Sequence, residues 1–69
     1  MDAKDFNCYI VERDGEFLQA IVPETGVDVW SRYIFDSAPI FRRDYALILA
    51  RRFYGRYLRF NHATGEYIE

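Results

Sequence analysis

The 69-residue chain has a single cysteine, Cys8, so no internal disulfide can staple it. It has a single histidine, His62, and one Cys with one His is too small a set for a metal cage. Long apolar runs are missing too: the longest, Tyr45 to Ala50, is about a third of what a bilayer-spanning helix needs. The four glycines are scattered among turns, so there is no glycine-rich loop to cradle a phosphate. Neither metal nor cofactor is expected, nor is a membrane partner. The starting sequence Met-Asp-Ala-Lys-Asp-Phe lacks the basic and apolar regions of a secretory signal. With one unpaired thiol, this fits a reducing cytoplasm.

Aromatic residues are plentiful. Six Phe, six Tyr and one Trp, in a chain that is 51% apolar, exclude a disordered segment. Sixty-nine residues cannot supply two cores, so residues 1–69 are expected to form one domain. A domain this short is marginally stable unless its core is dense or a partner helps, and the aromatics supply density.

Charge is unevenly distributed although the net is only −2. Residues 1–41 carry Asp2, Asp5, Glu12, Asp14, Glu16, Glu24, Asp28 and Asp36 against Lys4, Arg13 and Arg32. Residues 42–60 carry Arg42, Arg43, Arg51, Arg52, Arg56 and Arg59 against Asp44 alone. Such a split fits a solvated surface, and it equally fits a bipolar docking surface.

Residues 6–13 alternate as a strand, with Cys8 and Ile10 on one face and Tyr9 and Val11 on the other. Asp14-Gly15 signals a type I′ hairpin turn, and residues 16–22 return as a second strand. A turn at Pro23–Gly26 leads into a short third strand at 27–30. Over 31–37 the period is lost, and Ser31 is placed to cap one helical turn. Pro39 holds Ala38 extended, so residues 38–41 read as a short strand or extended edge. Residues 42–54 read as the one helix, ended by Gly55 in the left-handed position. A strand at 56–60, a turn at 61–65 and a closing strand at 66–69 complete the chain. The order β-β-β-(β)-α-β-β predicts an α+β fold: a small, mostly antiparallel sheet with the helix across one face.

Nucleophilic catalysis needs a nucleophile with a base beside it. Cys8 alternates into a strand face as a packed thiol, and His62 falls in a turn where a solvated ring is the default. No carboxylate pair has a recognisable spacing. The expectation is therefore a protein that is not an enzyme.

At 100° per residue, Ala46, Leu49, Ala50 and Phe53 share one arc of the helix, the core face. Leu47 lies about 110° and Ile48 about 150° from the centre of that arc. Arg43 and Tyr54 flank Leu47, while Asp44, Arg51 and Arg52 surround Ile48. An apolar pair among arginines is the composition that interface hot spots favour. Arg43, Leu47, Ile48, Arg51, Arg52 and Tyr54 are therefore the candidate partner-binding patch, and scattered surface residues the bland alternative. Asp14, Glu24 and Asp28 form a second, acidic candidate, read either as a mimic of phosphates or as charges that keep strand edges soluble. A homodimer would use the helix patch or an open strand edge.

The arginines and aromatics interleaved over 42–60 also suit a nucleic-acid accessory protein, by phosphate contact and base stacking. The sequence pI of about 5.3 runs against the basic footprint of such domains.

The framework Tyr9-x-Val11, Gly15-x-Phe17-Leu18, Trp30, Ala38-x-x-Phe41, Ala46-x-x-x-Ala50 and Gly55 resembles that of short accessory proteins encoded by phages and prophages. Some of these inhibit host defences by binding a defence protein stoichiometrically, as anti-CRISPR proteins do. The resemblance implies a viral, non-enzymatic inhibitor acting in the host cytoplasm on a host protein or protein complex. It carries over no functional residue.

Overall fold

A computed structural model describes residues 6–69; Asp2, Lys4 and Asp5 of the acidic half lie outside the described residues. The organising unit is the hairpin of β1 (Cys8–Arg13) and β2 (Glu16–Ile21). Its turn is the one the Asp-Gly pair demands: Asp14 has φ 52° and Gly15 φ 81°. Strands β3 (Asp28–Ser31), β4 (Arg56–Phe60) and β5 (Tyr67–Ile68) complete a five-stranded sheet in the order β3-β2-β1-β4-β5. Every neighbouring pair is antiparallel. With the helix α1 (Arg43–Arg52), this is a small α+β fold.

β1 pairs with β4 along five registers, from Cys8↔Phe60 to Glu12↔Arg56. With β2 it shares only Arg13↔Glu16 and Glu12↔Phe17 before the two strands part. The segment 38–40 enters the gap. Ala38 N–H donates to the Leu18 carbonyl at 2.9 Å, and Ile40 exchanges both backbone bonds with Tyr9 at 2.7 and 2.8 Å. Pro39 fits between them at no cost in hydrogen bonds, because its neighbours on either side make the contacts to the two strands. A register shift between Leu18 and Ala20 marks a bulge in the β2–β3 pair, which adds twist at this corner.

The sheet has a core on each face. On one side Ala46, Leu49, Ala50 and Phe53 of the helix region meet Val11, Leu18 and Ile40, with Tyr9, Trp30 and Tyr57 at the margin. Ala46 and Ala50, both buried, let the helix axis approach closely. On the other side Cys8, Ile10, Leu58 and Phe60 pack together. The sequence places one helix on one face; the second face is closed by Phe17 and by Ile34 from a 3-10 turn, Ile34–Asp36. Ser31 organises the entry to that turn, accepting from Tyr33 N–H at 3.1 Å and donating to Asp36 Oδ2 at 2.7 Å. No helix among the described residues is long and apolar enough to cross a membrane.

The helix, expected over 42–54, spans Arg43–Arg52, and its left-handed residue comes one position earlier than expected. Tyr54, not Gly55, takes the left-handed position, with φ 60°. Gly55 N–H reaches back to the Ala50 carbonyl at 2.8 Å, and Tyr54 N–H to Arg51 at 3.3 Å. This is a Schellman end with Tyr54 at C′. The glycine is required at 55 because a Cβ there would sit 2.4 Å from the Glu12 carbonyl oxygen. Tyr54 is 93% exposed and so gains little packing for its strained backbone. Tyr54→Gly is expected to stabilise the domain by about 1 kcal/mol and raise its thermal midpoint by about 4–8 °C in a calorimetric scan.

Candidate docking surface

Ile48 stands on the solvent side of α1, 61% exposed. Tyr45, three residues earlier and on the same flank, is 50% exposed, and Phe41, in the extended lead-in to the helix, is 74% exposed. With Pro39 these side chains wall a concavity of about 510 Å³ over the buried Ile40. The floor is in place because Ile40 is fixed to Tyr9 in the split of the sheet, which leaves Pro39 and Phe41 outside. Arg42 and Asp44 form the rim, joined by an ion pair at 3.1 Å between two well-exposed side chains. Such a pair adds little to stability and leaves both groups open to a partner.

The sequence-derived patch divides between two flanks of the helix. Ile48 belongs to the concavity. Leu47 is half-buried, about 100° round the helix from Ile48. Arg43, about 140° from Ile48, turns toward the sheet and donates its Nε–H to Tyr57 Oη at 3.1 Å. Arg51 and Arg52 are exposed in the last turn, where their charge complements the helix dipole. The Arg52 guanidinium lies 5.3 Å from the centre of the Phe53 ring. Tyr54 projects beyond the helix end. Phe41 and Tyr45, absent from the sequence-derived patch, are the largest exposed apolar side chains of the concavity. The available signal for Tyr45 was its spacing of three from Ile48, which the continuous apolar run 45–50 obscures; Phe41, before the helix, gives no helical signal.

The acidic candidates do not form a cluster. Asp14 and Glu24 are exposed in turns at opposite ends of β2, about 20 Å apart along six residues of strand. Asp28 has structural work: its Oδ2 accepts from the Trp30 indole N–H and lies 4.0 Å from Arg13. The Trp30 bond, with its own backbone and the Arg13 charge, holds the Asp28 carboxyl below its ordinary pKa. Arg13 in turn stacks over Trp30 at 4.0 Å and donates to the Phe53 carbonyl. This tether joins β1, β3 and the helix end.

Cys8 is buried, donates weakly to the Phe60 carbonyl at 3.5 Å, and burial raises its pKa. The thiolate needed for attack is thereby disfavoured. His62 is not the solvated turn residue expected. It is half-buried, packs edge-on against Phe60 at 5.0 Å, and its Nε2 lies 3.2 Å from the Ser37 carbonyl. A carbonyl only accepts, so Nε2 carries the proton. Asn61, whose side chain accepts from Ala63 and Thr64 N–H, folds the turn so that the ring is carried back over the second core.

Comparison with protein-family models, with curated proteins and with solved structures found no match.

Proposed function

We propose that this protein is a non-enzymatic binding module that acts by docking on another protein through the Phe41–Tyr45–Ile48 surface. The observation that carries the reading is the joint exposure of three large apolar side chains around one concavity, rimmed by charge. A desolvated apolar centre inside a polar rim is the anatomy of protein interfaces. Stoichiometric inhibition of a host defence complex, as the phage-type resemblance implies, is one activity such a module performs without cofactor or catalysis.

The arrangement of the arginines favours a protein partner over nucleic acid. Of the six in residues 42–60, Arg42 is paired with Asp44, Arg56 with Glu12 and Glu69, and Arg43 is bonded to Tyr57. Arg51 and Arg52 lie on the outer helix, whereas Arg59 lies on the sheet face near Arg43. They are spread over separate surfaces and do not line one continuous basic track of the kind that follows a phosphate backbone.

The test is a pair of variants, Phe41→Ser with Ile48→Asp. Both side chains are largely exposed, so the thermal midpoint is expected to stay within about 3 °C of the parent. Capture of the partner from host lysate is expected to fall at least about tenfold, the loss of one hot-spot contact. Undiminished capture by the folded double variant rejects this surface. Sedimentation at two concentrations distinguishes a self-associating chain from a heterologous binder.

A further inference from the structure

A second concavity, of about 460 Å³, lies between α1 and the β4 side of the sheet, away from Ile48. We propose that it is an anion site that takes the phosphate of a phosphate monoester. Its walls are Tyr9, Arg43, Tyr57, Arg59 and Glu69. Tyr9 is paired in register with Arg59, and Val11 with Tyr57, so all four side chains rise on the helix face of the sheet. Arg43, in the first turn of α1, enters from above.

The chemistry of the lining is one-sided. Arg43 spends its Nε–H on Tyr57 Oη at 3.1 Å, which fixes the guanidinium plane. Its terminal amino groups have no partner among the described residues. Arg59 has no carboxylate within 4.0 Å among the described residues. Because the Tyr57 oxygen accepts from Arg43, its own hydroxyl hydrogen remains to be donated, as does that of Tyr9. The two phenol rings brace each other edge to face, 5.8 Å apart. Glu69 is the single carboxylate, and Arg56 holds it in an ion pair.

Two guanidinium groups and two phenol hydroxyls therefore line one space, and Glu69, the only acidic residue in its lining, is engaged by Arg56. An occupant that only accepts hydrogen bonds satisfies this set. Arg56 is shared between Glu12 and Glu69, so one carboxylate charge stands against Arg43 and Arg59 and the surroundings stay net positive. A phosphate monoester brings negative charge and three acceptor oxygens to these donors. The planar guanidinium fork matches those oxygens two at a time. A carboxylate offers two acceptor oxygens, so it meets fewer of the donors than the three of a phosphate.

The experiment is an NMR titration of the full chain that follows the arginine Nε–H and tyrosine ring resonances. Phenyl phosphate, inorganic phosphate and benzoate are the probes, with ionic strength held constant by NaCl so that general screening is common to all. Phenyl phosphate is expected to give saturable shifts at Arg43, Arg59, Tyr9 and Tyr57, with affinity about tenfold above that for benzoate. Arg59→Gln and Tyr57→Phe are each expected to weaken it by about tenfold while the remaining resonances keep their dispersion. Ile48→Asp should leave it unchanged, which separates this site from the docking surface. Shifts that rise without saturating to about 10 mM, or that appear equally at Arg32 and Arg51, overturn the proposal. Benzoate binding as tightly as phenyl phosphate overturns the selection of phosphate over carboxylate, and saturation by inorganic phosphate alone overturns the ester.

Discussion

Phe60→Ala is expected to remove most of the domain's stability. The ring is wholly buried and is the largest side chain so enclosed. Its neighbours in the core opposite the helix are Cys8, Ile10 and Leu58, with Phe35 at 6.3 Å and His62 at 5.0 Å between ring centres. Truncating a phenylalanine in such a place costs about 3–5 kcal/mol, through lost burial and the cavity left behind. A domain of this size has a total stability of about 3–10 kcal/mol. The thermal midpoint should fall by about 15 °C or more, read by circular dichroism. Phe41→Ala, the same chemical change on an exposed ring, is expected to cost no more than about 0.5 kcal/mol. The contrast between the two isolates burial from residue type.

Gly55→Ala is the second large effect, and its sign is opposite to the usual one. Replacing glycine with alanine where the backbone tolerates it stabilises a protein by about 0.4–1 kcal/mol. Here the added Cβ would meet the Glu12 carbonyl oxygen at 2.4 Å and the Arg13 Cβ at 3.3 Å. Neither neighbour is free to retreat, because Glu12 is paired to Phe17 on one side and Arg56 on the other. The clash must be relieved by moving the helix end or the start of β4, at an expected cost of about 3 kcal/mol. Urea unfolding should show a lowered midpoint with an unchanged slope. A variant as stable as the parent would mean that the helix end can be displaced from β1 without loss.

Local chemistry made much of this fold readable. Asp14-Gly15 announces its turn because few pairs accept positive φ at both positions. The helix core face of Ala46, Leu49, Ala50 and Phe53 follows from periodicity, and the alternation in β1 assigns each side chain to its face. What escaped depends on contacts between distant segments. The need for glycine at 55 comes from Glu12, forty-three residues away, so the sequence reads as an ordinary helix stop. His62 looks solvated until the 3-10 turn brings the Ser37 carbonyl to its ring. Phe41 and Tyr45 resemble core aromatics in so short a chain. The pairing of Ile40 with Tyr9, where β1 and β2 part, leaves Phe41 outside, and Tyr45 lies off the buried arc of α1. Helical angle sets Arg43 beside Leu47 in one patch with Ile48, yet its bond to Tyr57 turns it toward the sheet, on the other flank from Ile48.

Site-specific photocrosslinking tests the proposed docking surface without waiting for the identity of a partner. A benzophenone side chain placed at Tyr45, and in a parallel protein at Glu24 on the remote β2–β3 turn, is irradiated in cell lysate. One discrete protein adduct from position 45, absent from position 24 and lost when Ile48→Asp is added, is the outcome that follows from docking through this concavity. No adduct at 45, or the same adducts from both positions, would contradict it.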